Sequence, residues 1–284
     1  MKGSWTLKLG IFWAMGLAAG LMPAACGHTA VCGSPVGLPK NVQNYRLSFE
    51  DNFDRLDISS DGKAGHTWYN GIWFRSELPP LEVFQVHDST LSIHWKKGQK
   101  VADSSITTMP RGKGEAKAWR YGYFEARMKW TPVKGAWPAF WLVPVQDAQR
   151  TNIYGGVRET GELDVFEGQG EEDRIFFATI HDWVNDHDVS SNGSNNRFKI
   201  PDCAQFSDYH TYGLLWEPGN VTWYFDNVPI HSETTKAIFD KQDFYLVLGM
   251  QAGRNWKYGN LEGVSATDME LDVDWVRVWQ KSHP

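Results

Sequence analysis

From Tyr121 to Trp130 the chain alternates strictly. Phe124, Ala126, Met128 and Trp130 fall on one side, and Glu125, Arg127 and Lys129 on the other. A period of two is the mark of a strand with one buried face. The same kind of run recurs throughout the chain, at Leu81–Trp95 (a hairpin turning at Asp88-Ser89-Thr90), Ala136–Val143, Ile175–His181, Tyr212–Trp216, Val221–Phe225, Phe244–Met250 and Met269–Trp279. Glu217-Pro218-Gly219-Asn220 and Asp226-Asn227 are turn signals between them. No stretch beyond residue 27 sustains a helical period, no internal repeat appears, and no second domain is marked. Many short strands joined by turns predict an all-β fold, a β-sandwich or jelly roll of two antiparallel sheets.

One of these strands is chemically odd. Gly161-Glu162-Leu163-Asp164-Val165-Phe166-Glu167-Gly168 sets three carboxylates among apolar residues and brackets them with glycines. Burying a charge is costly unless it is paired or used. One reading is a strand edge whose acids face water. The other is glycoside hydrolysis, which commonly uses two carboxylates. Side chains alternate along a strand, so Glu162 and Asp164 share a face while Glu167, five residues beyond Glu162, faces away unless a β-bulge intervenes. At ~3.3 Å per residue the two glutamate backbones stand over ~10 Å apart. A retaining mechanism wants carboxyls roughly 5–5.5 Å apart and an inverting one roughly 6.5–9.5 Å, and the spacing leaves both open. Like charges this close cannot all ionise easily, so at least one member of the trio holds its proton to higher pH, as a general acid must.

The first 27 residues read as an export signal. Lys2 and Lys8 precede an apolar run from Leu9 to Leu21, and Ala24-Ala25-Cys26-Gly27 supplies small residues for cleavage. The run is short for a membrane span, and Pro23 closes it. The product is then secreted or periplasmic, or alternatively lipid-anchored through Cys26. Residues 28–44, rich in Gly, Pro, Ser and Asn, read as a flexible leader to a catalytic domain at 45–284. In an exported protein the remaining cysteines, Cys32 and Cys203, can pair and tie the leader to the body. The net charge is −6, and losing the two signal lysines makes it −8. There is no basic stripe for nucleic acid and no Cys/His spacing for zinc. Arg111-Gly112-Lys113 reads as loop decoration. A neutral polysaccharide suits this surface best, bound by what is expected to be a monomer. Of fifteen tryptophans, Trp5 and Trp13 lie in the signal. Most of the others are expected in the core, with some free to stack on sugars in a groove.

Six ordered segments resemble glycoside hydrolase family 16 over roughly residues 45–281. Glu162-Leu163-Asp164-Val165-Phe166-Glu167 resembles the bulged form of its signature. Tyr121–Lys129 with Gly135–Trp141 is similar to the two preceding strands. His210–Trp216 with Val221–Asp226 resembles a later hairpin, and Asp274–Trp279 the last strand. The resemblance implies a β-jelly-roll with a concave cleft and a laminarinase-like, retaining, endo-acting double displacement on a β-1,3- or β-1,3-1,4-glucan. Glu162 would be the nucleophile, Glu167 the acid/base and Asp164 the residue that tunes them. Trp137 and Trp141 would form an aromatic wall. His181 would line the leaving-group side, unless it is a plain surface or core histidine. No cofactor is required, though Asp274 matches a position that holds a structural calcium in some relatives.

The chain departs from the family where the sugar binds. Ser105 stands in place of an arginine found in many β-1,3-glucan-cleaving members. Gln251-Ala252-Gly253-Arg254-Asn255-Trp256 replaces a Gly-Gly-Asn type sequence, which makes Gln251 and Trp256 candidate substrate residues. Tyr69–Arg75 reads as a substrate-side loop in which Asn70 and Arg75 face the sugar. Transglycosylation, a galactan (agar-type) substrate, and carbohydrate binding without catalysis are the competing readings.

Overall fold

A computed structural model describes residues 37–111, 114–149, 151–190, 196–254, 257–264 and 268–281. The expected signal, Cys26, Cys32 and Trp256 lie outside the described residues. Among the described residues no helix is long and apolar enough to cross a membrane.

Two large sheets face one another. The eight-stranded sheet runs Val228–Thr234, Asn220–Phe225, His210–Glu217, Gly122–Trp130, Met269–Lys281, Thr90–Trp95 and Phe84–His87, with Tyr45–Asp51 also paired to Met269–Lys281. The twelve-stranded sheet runs His187–Asp188, Ile175–Val184, Val157–Gly168, Ala136–Pro144, Phe244–Arg254, Asp103–Thr107, Trp68–Asn70 and Ile58–Ser59, with four short strands paired off this path. Large neighbouring strands pair antiparallel. This is the two-sheet sandwich that the alternation predicts, and each expected strand is present.

Strand parity builds the core. Phe124, Ala126, Met128 and Trp130 from one sheet meet Phe140, Leu142, Leu163, Leu246 and Leu248 from the other in one buried cluster. The hairpins turn where the sequence signals it. Asp88, Ser89, Asp226 and Asn227 all have φ between 47° and 61°, the left-handed geometry of a tight two-residue turn. The leader is ordered sooner than expected. Lys40–Val42 forms a 3-10 turn, Val42 is buried, and Asn41 Nδ2 donates to Tyr224 Oη at 2.6 Å. Val42 packs with Tyr123, Leu215 and Tyr224, so the last residues of 28–44 belong to the body. Cys203 is disulfide-bonded.

Candidate active site

The acidic strand, Val157–Gly168, pairs with Ile175–Val184 on one side and Ala136–Pro144 on the other. Its register shifts between Asp164 and Glu167 against the first neighbour, and between Asp164 and Phe166 against the second. This is a β-bulge. Val165 and Phe166 both turn into the main core with Leu163, while Glu162, Asp164 and Glu167 all line one cleft on the outer face of the sheet. A bulge leaves ladder groups without partners. Here the buried Asp164 carbonyl accepts the indole Nε1–H of Trp223, from the opposite sheet, at 2.8 Å. The bracketing glycines have packing reasons. A Cβ on Gly161 would lie 2.5 Å from the Phe239 ring, and one on Gly168 would lie 2.6 Å from Trp130.

Neighbouring strands hold the acids in place. Trp183 Nε1 donates to Glu162 Oε2 at 3.0 Å, and Trp137 Nε1 donates to Glu167 Oε1 at 3.0 Å. His181 lies directly across the ladder from Glu162. Its Nε2 stands 3.2 Å from Asp164 Oδ2 and its Nδ1 2.8 Å from Asp188 Oδ2. Asp188 in turn accepts from both the backbone N–H and the hydroxyl of Ser190.

The electrostatics follow from this crowding. Burial first, and the charge of Asp164 second, push Glu162 up to about 8 and Glu167 well above the usual carboxylate range. The His181 cation and the two indole donors work against that rise. Burial disfavours the charge on His181 itself, yet Asp164, Glu162 and Asp188 outweigh it and raise this imidazole to about 11. The floor of the cleft is therefore a coupled set of acids around one imidazolium.

The cleft encloses about 770 Å³. Of the residues expected to meet substrate, Trp137, Trp141, His181, Arg75 and Gln251 line it. The Trp141 indole nitrogen is buried and has no hydrogen-bond partner among the described residues. Asn70 does not belong with them. It is 4 % exposed, absent from the cleft lining, and its Nδ2 donates to the Pro79 carbonyl at 2.9 Å, so its work is to hold the loop. Asp274 lies in the other sheet, where its Oδ2 takes Arg127 Nη1 at 2.5 Å. Calcium wants 6–8 oxygens. Among the described residues Asp274 joins no cluster of three or more acidic, cysteine or histidine side chains.

Sequence reasoning missed Trp183 and Asp188, and it named Trp73 and Phe74 only as members of the Tyr69–Arg75 loop, from which both line the cleft. Alternation offers a signal for Trp183, which sits two residues beyond His181 and so shares its face. Asp188 carries no such signal, because a turn at Asn185-Asp186 folds it back against His181. Arg111, expected as loop decoration, instead donates to the carbonyls of Ile72 (2.7 Å) and Arg75 (2.6 Å).

Carboxylates that share the floor of an aromatic-lined cleft on a two-sheet sandwich are the equipment of an enzyme that cuts glycosidic bonds. Residues 82–277 match the family model Glycosyl hydrolases family 16, and the chain belongs to that family. It is 25% identical over 260 residues to the Beta-glucanase of Rhodothermus marinus, covering 84% of this chain and 86% of that one. It is 30% identical over 297 residues to Endo-1,3-1,4-beta-glycanase ExsH of Rhizobium meliloti (strain 1021), covering 90% of this chain and 58% of that longer protein. The laminarinase catalytic domain of Thermotoga maritima superposes with a TM-score of 0.65 at 21% identity, covering 85% of this chain and 100% of that one. This last likeness speaks to the fold.

Proposed function

We propose that the protein is an endo-acting β-glucanase that cleaves a β-1,3- or β-1,3-1,4-linked glucan by a retaining double displacement. The observation that carries this reading is the bulge that sets Glu162, Asp164 and Glu167 into one cleft. The glucan is supported by the family and by the named activities of the Rhodothermus and Rhizobium relatives.

Glu162 attacks the anomeric carbon as a carboxylate while Glu167 passes its proton to the glycosidic oxygen, which leaves with the aglycone. Water then gives a proton back to Glu167 and its oxygen to the anomeric carbon, releasing Glu162. The role order follows the surroundings. Glu162 lies opposite the His181 cation and accepts from Trp183, which favours its anion. Glu167 is the acid lifted far above the ordinary range, which suits a proton donor. Asp164, between them, raises both. Trp137 and Trp141 offer ring faces for the sugar. The signal-like first 27 residues and the Cys203 disulfide support export to an oxidising compartment.

The test is a polysaccharide panel (β-1,3-glucan, mixed-linkage glucan, a galactan) read by reducing-end release, with the anomeric form of the first product followed by NMR. The wild type is expected to cut a β-glucan internally and to release the β-anomer. E162Q is expected to fold, bind the polymer and turn nothing over. An active E162Q, or an α-anomeric first product, removes the assignment.

A further inference from the structure

The outer face of the twelve-stranded sheet is not open from edge to edge. Cross-strand pairing lays Asp164, Trp141, Val247 and Thr107 in one row, and Glu167, Ala139, Gly249 and Ser105 in the next. Side chains in one row share a face, so a groove crossing the whole sheet would expose all of them. The acidic end of each row lines the cleft. The far end is sealed, with Val247 and Ser105 at 0% exposure and Thr107 at 1%. No residue of Asp103–Thr107 lines the cleft among the described residues.

The seal is an apolar lid of chain. Ile72 and Met109 pack with Trp141, Val143, Tyr245 and Val247, and Trp73, Ala116 and Ala118 pack against this cluster. The segment Ile72–Arg75 is fastened on several sides. Gly71 N–H donates to the Ser105 carbonyl at 2.8 Å, and Arg75 N–H to the Ile72 carbonyl at 3.1 Å. Arg111 holds both ends through the carbonyls of Ile72 and Arg75. The Arg75 side chain reaches the buried Asp103 with Nε–Oδ2 at 3.5 Å, and Asp103 also accepts from the Ser105 hydroxyl. The segment then turns Trp73, Phe74 and Arg75 toward the cleft. Counting outward from Phe244–Arg254, the lid removes the two strands Asp103–Thr107 and Trp68–Asn70 from the groove, ~10 Å of sheet at ~4.8 Å per strand.

We propose that Ile72–Arg75, stapled by Arg111, is an end wall that fixes how many sugar units the cleft holds on this side of the scissile bond, and so sets the length of the released products. The polymer leaves the sheet surface at Phe74 instead of continuing across it. This rests on the polysaccharide-hydrolase reading above and adds to it which element decides product size.

The experiment compares wild type, R111A and F74A on the polymer of the panel that the wild type cuts. Early products are sized by mass spectrometry, and kcat/KM is measured against oligosaccharides of increasing length. R111A releases both carbonyl staples without touching the cleft lining. Phe74 is 43% exposed at the tip of the segment, so F74A tests the wall even where R111A fails to fold. The wild type is expected to give a narrow product range and a kcat/KM that stops rising at a short length. Both variants are expected to shift products to longer chains and to extend the rise. Product ladders and length dependence that coincide in all three proteins overturn the wall. Should glucan stay intact while another polymer is cut, the glucan assignment falls, and the same length comparison on that polymer still decides the wall.

Discussion

Replacing His181 by glutamine tests the electrostatic argument most directly. The imidazole sits 3.2 Å from Asp164 and 2.8 Å from Asp188. Raised to about 11, it stays positively charged through neutral pH. A carboxylate oxygen of Glu162, one of Asp164 and a ring nitrogen of His181 all lie within 4.8 Å of one another. Two unit charges at that distance attract by roughly 3.5 kcal/mol at an effective dielectric of ~20, equivalent to about 2.5 pKa units. Water entering in place of the ring screens part of this, so Glu162 should rise from its value of about 8 by on the order of 1 unit or more. The sign is fixed by which form must react. The nucleophile attacks as an anion, so removing the cation moves the acid limb of kcat/KM to higher pH and lowers the rate at neutrality by about tenfold or more. The assay is the pH profile of kcat/KM on the cleaved glucan for wild type and H181Q, with melting curves to confirm the fold. An acid limb that stays put or moves down refutes the reasoning, since it would mean that His181 is neutral and serves only to pack.

The same burial that equips the site should weaken the fold. The folded-state pKa of Glu162 is raised, so its penalty is absent below about 4.5, grows as pH rises toward about 8 and is complete above it. E162Q should therefore melt higher than wild type at pH 8, by on the order of a few kcal/mol, and equally at pH 4; melting curves that do not diverge between these pH values would contradict this. G161A forces a methyl group to within 2.5 Å of the Phe239 ring and should cost about 1–3 kcal/mol, read by denaturant midpoint. W223F leaves the buried Asp164 carbonyl without its donor, which should cost about 1–3 kcal/mol and lower kcat as the bulge relaxes. A W223F protein with unchanged kcat would show that the bulge holds without the indole.

Much of this was legible because parity is a strong constraint. Leu163 and Val165 must enter the core, which forces Glu162 and Asp164 outward. Only a bulge could add Glu167 to their side, and the register shift lies where that argument needs it. Parity is local, though, and says nothing about what lies across the core or above the sheet. That Trp223 reaches from the opposite sheet to the Asp164 carbonyl depends on how the two sheets face each other. Polarity also misleads when a face is covered from elsewhere. Glu125 alternates with core residues and reads as solvent-facing, yet it is 3% exposed, accepts from Trp279 Nε1 at 2.8 Å, and is lifted by burial to about 7.

The loop at Tyr69–Arg75 shows the same limit at the site itself. The sequence marks it as substrate-side, and Arg75 does line the cleft. Asn70, two residues after a strand tryptophan, turns inward to Pro79 instead. The difference is set by Gly71, whose φ of +73° reverses the chain between them. Ser105 then acquires a physical meaning. An arginine side chain at a position with 0% exposure, hydrogen-bonded to Gly71 through its carbonyl and beside Asp103, would have no room while the lid is down. The small residue and the lid are two halves of one arrangement, in which Arg75 brings the positive charge to Asp103 from above. The catalytic strand follows the family pattern, and the departure at Ser105 lies three strands away from it in the sheet, under the wall that sets how much polymer is held.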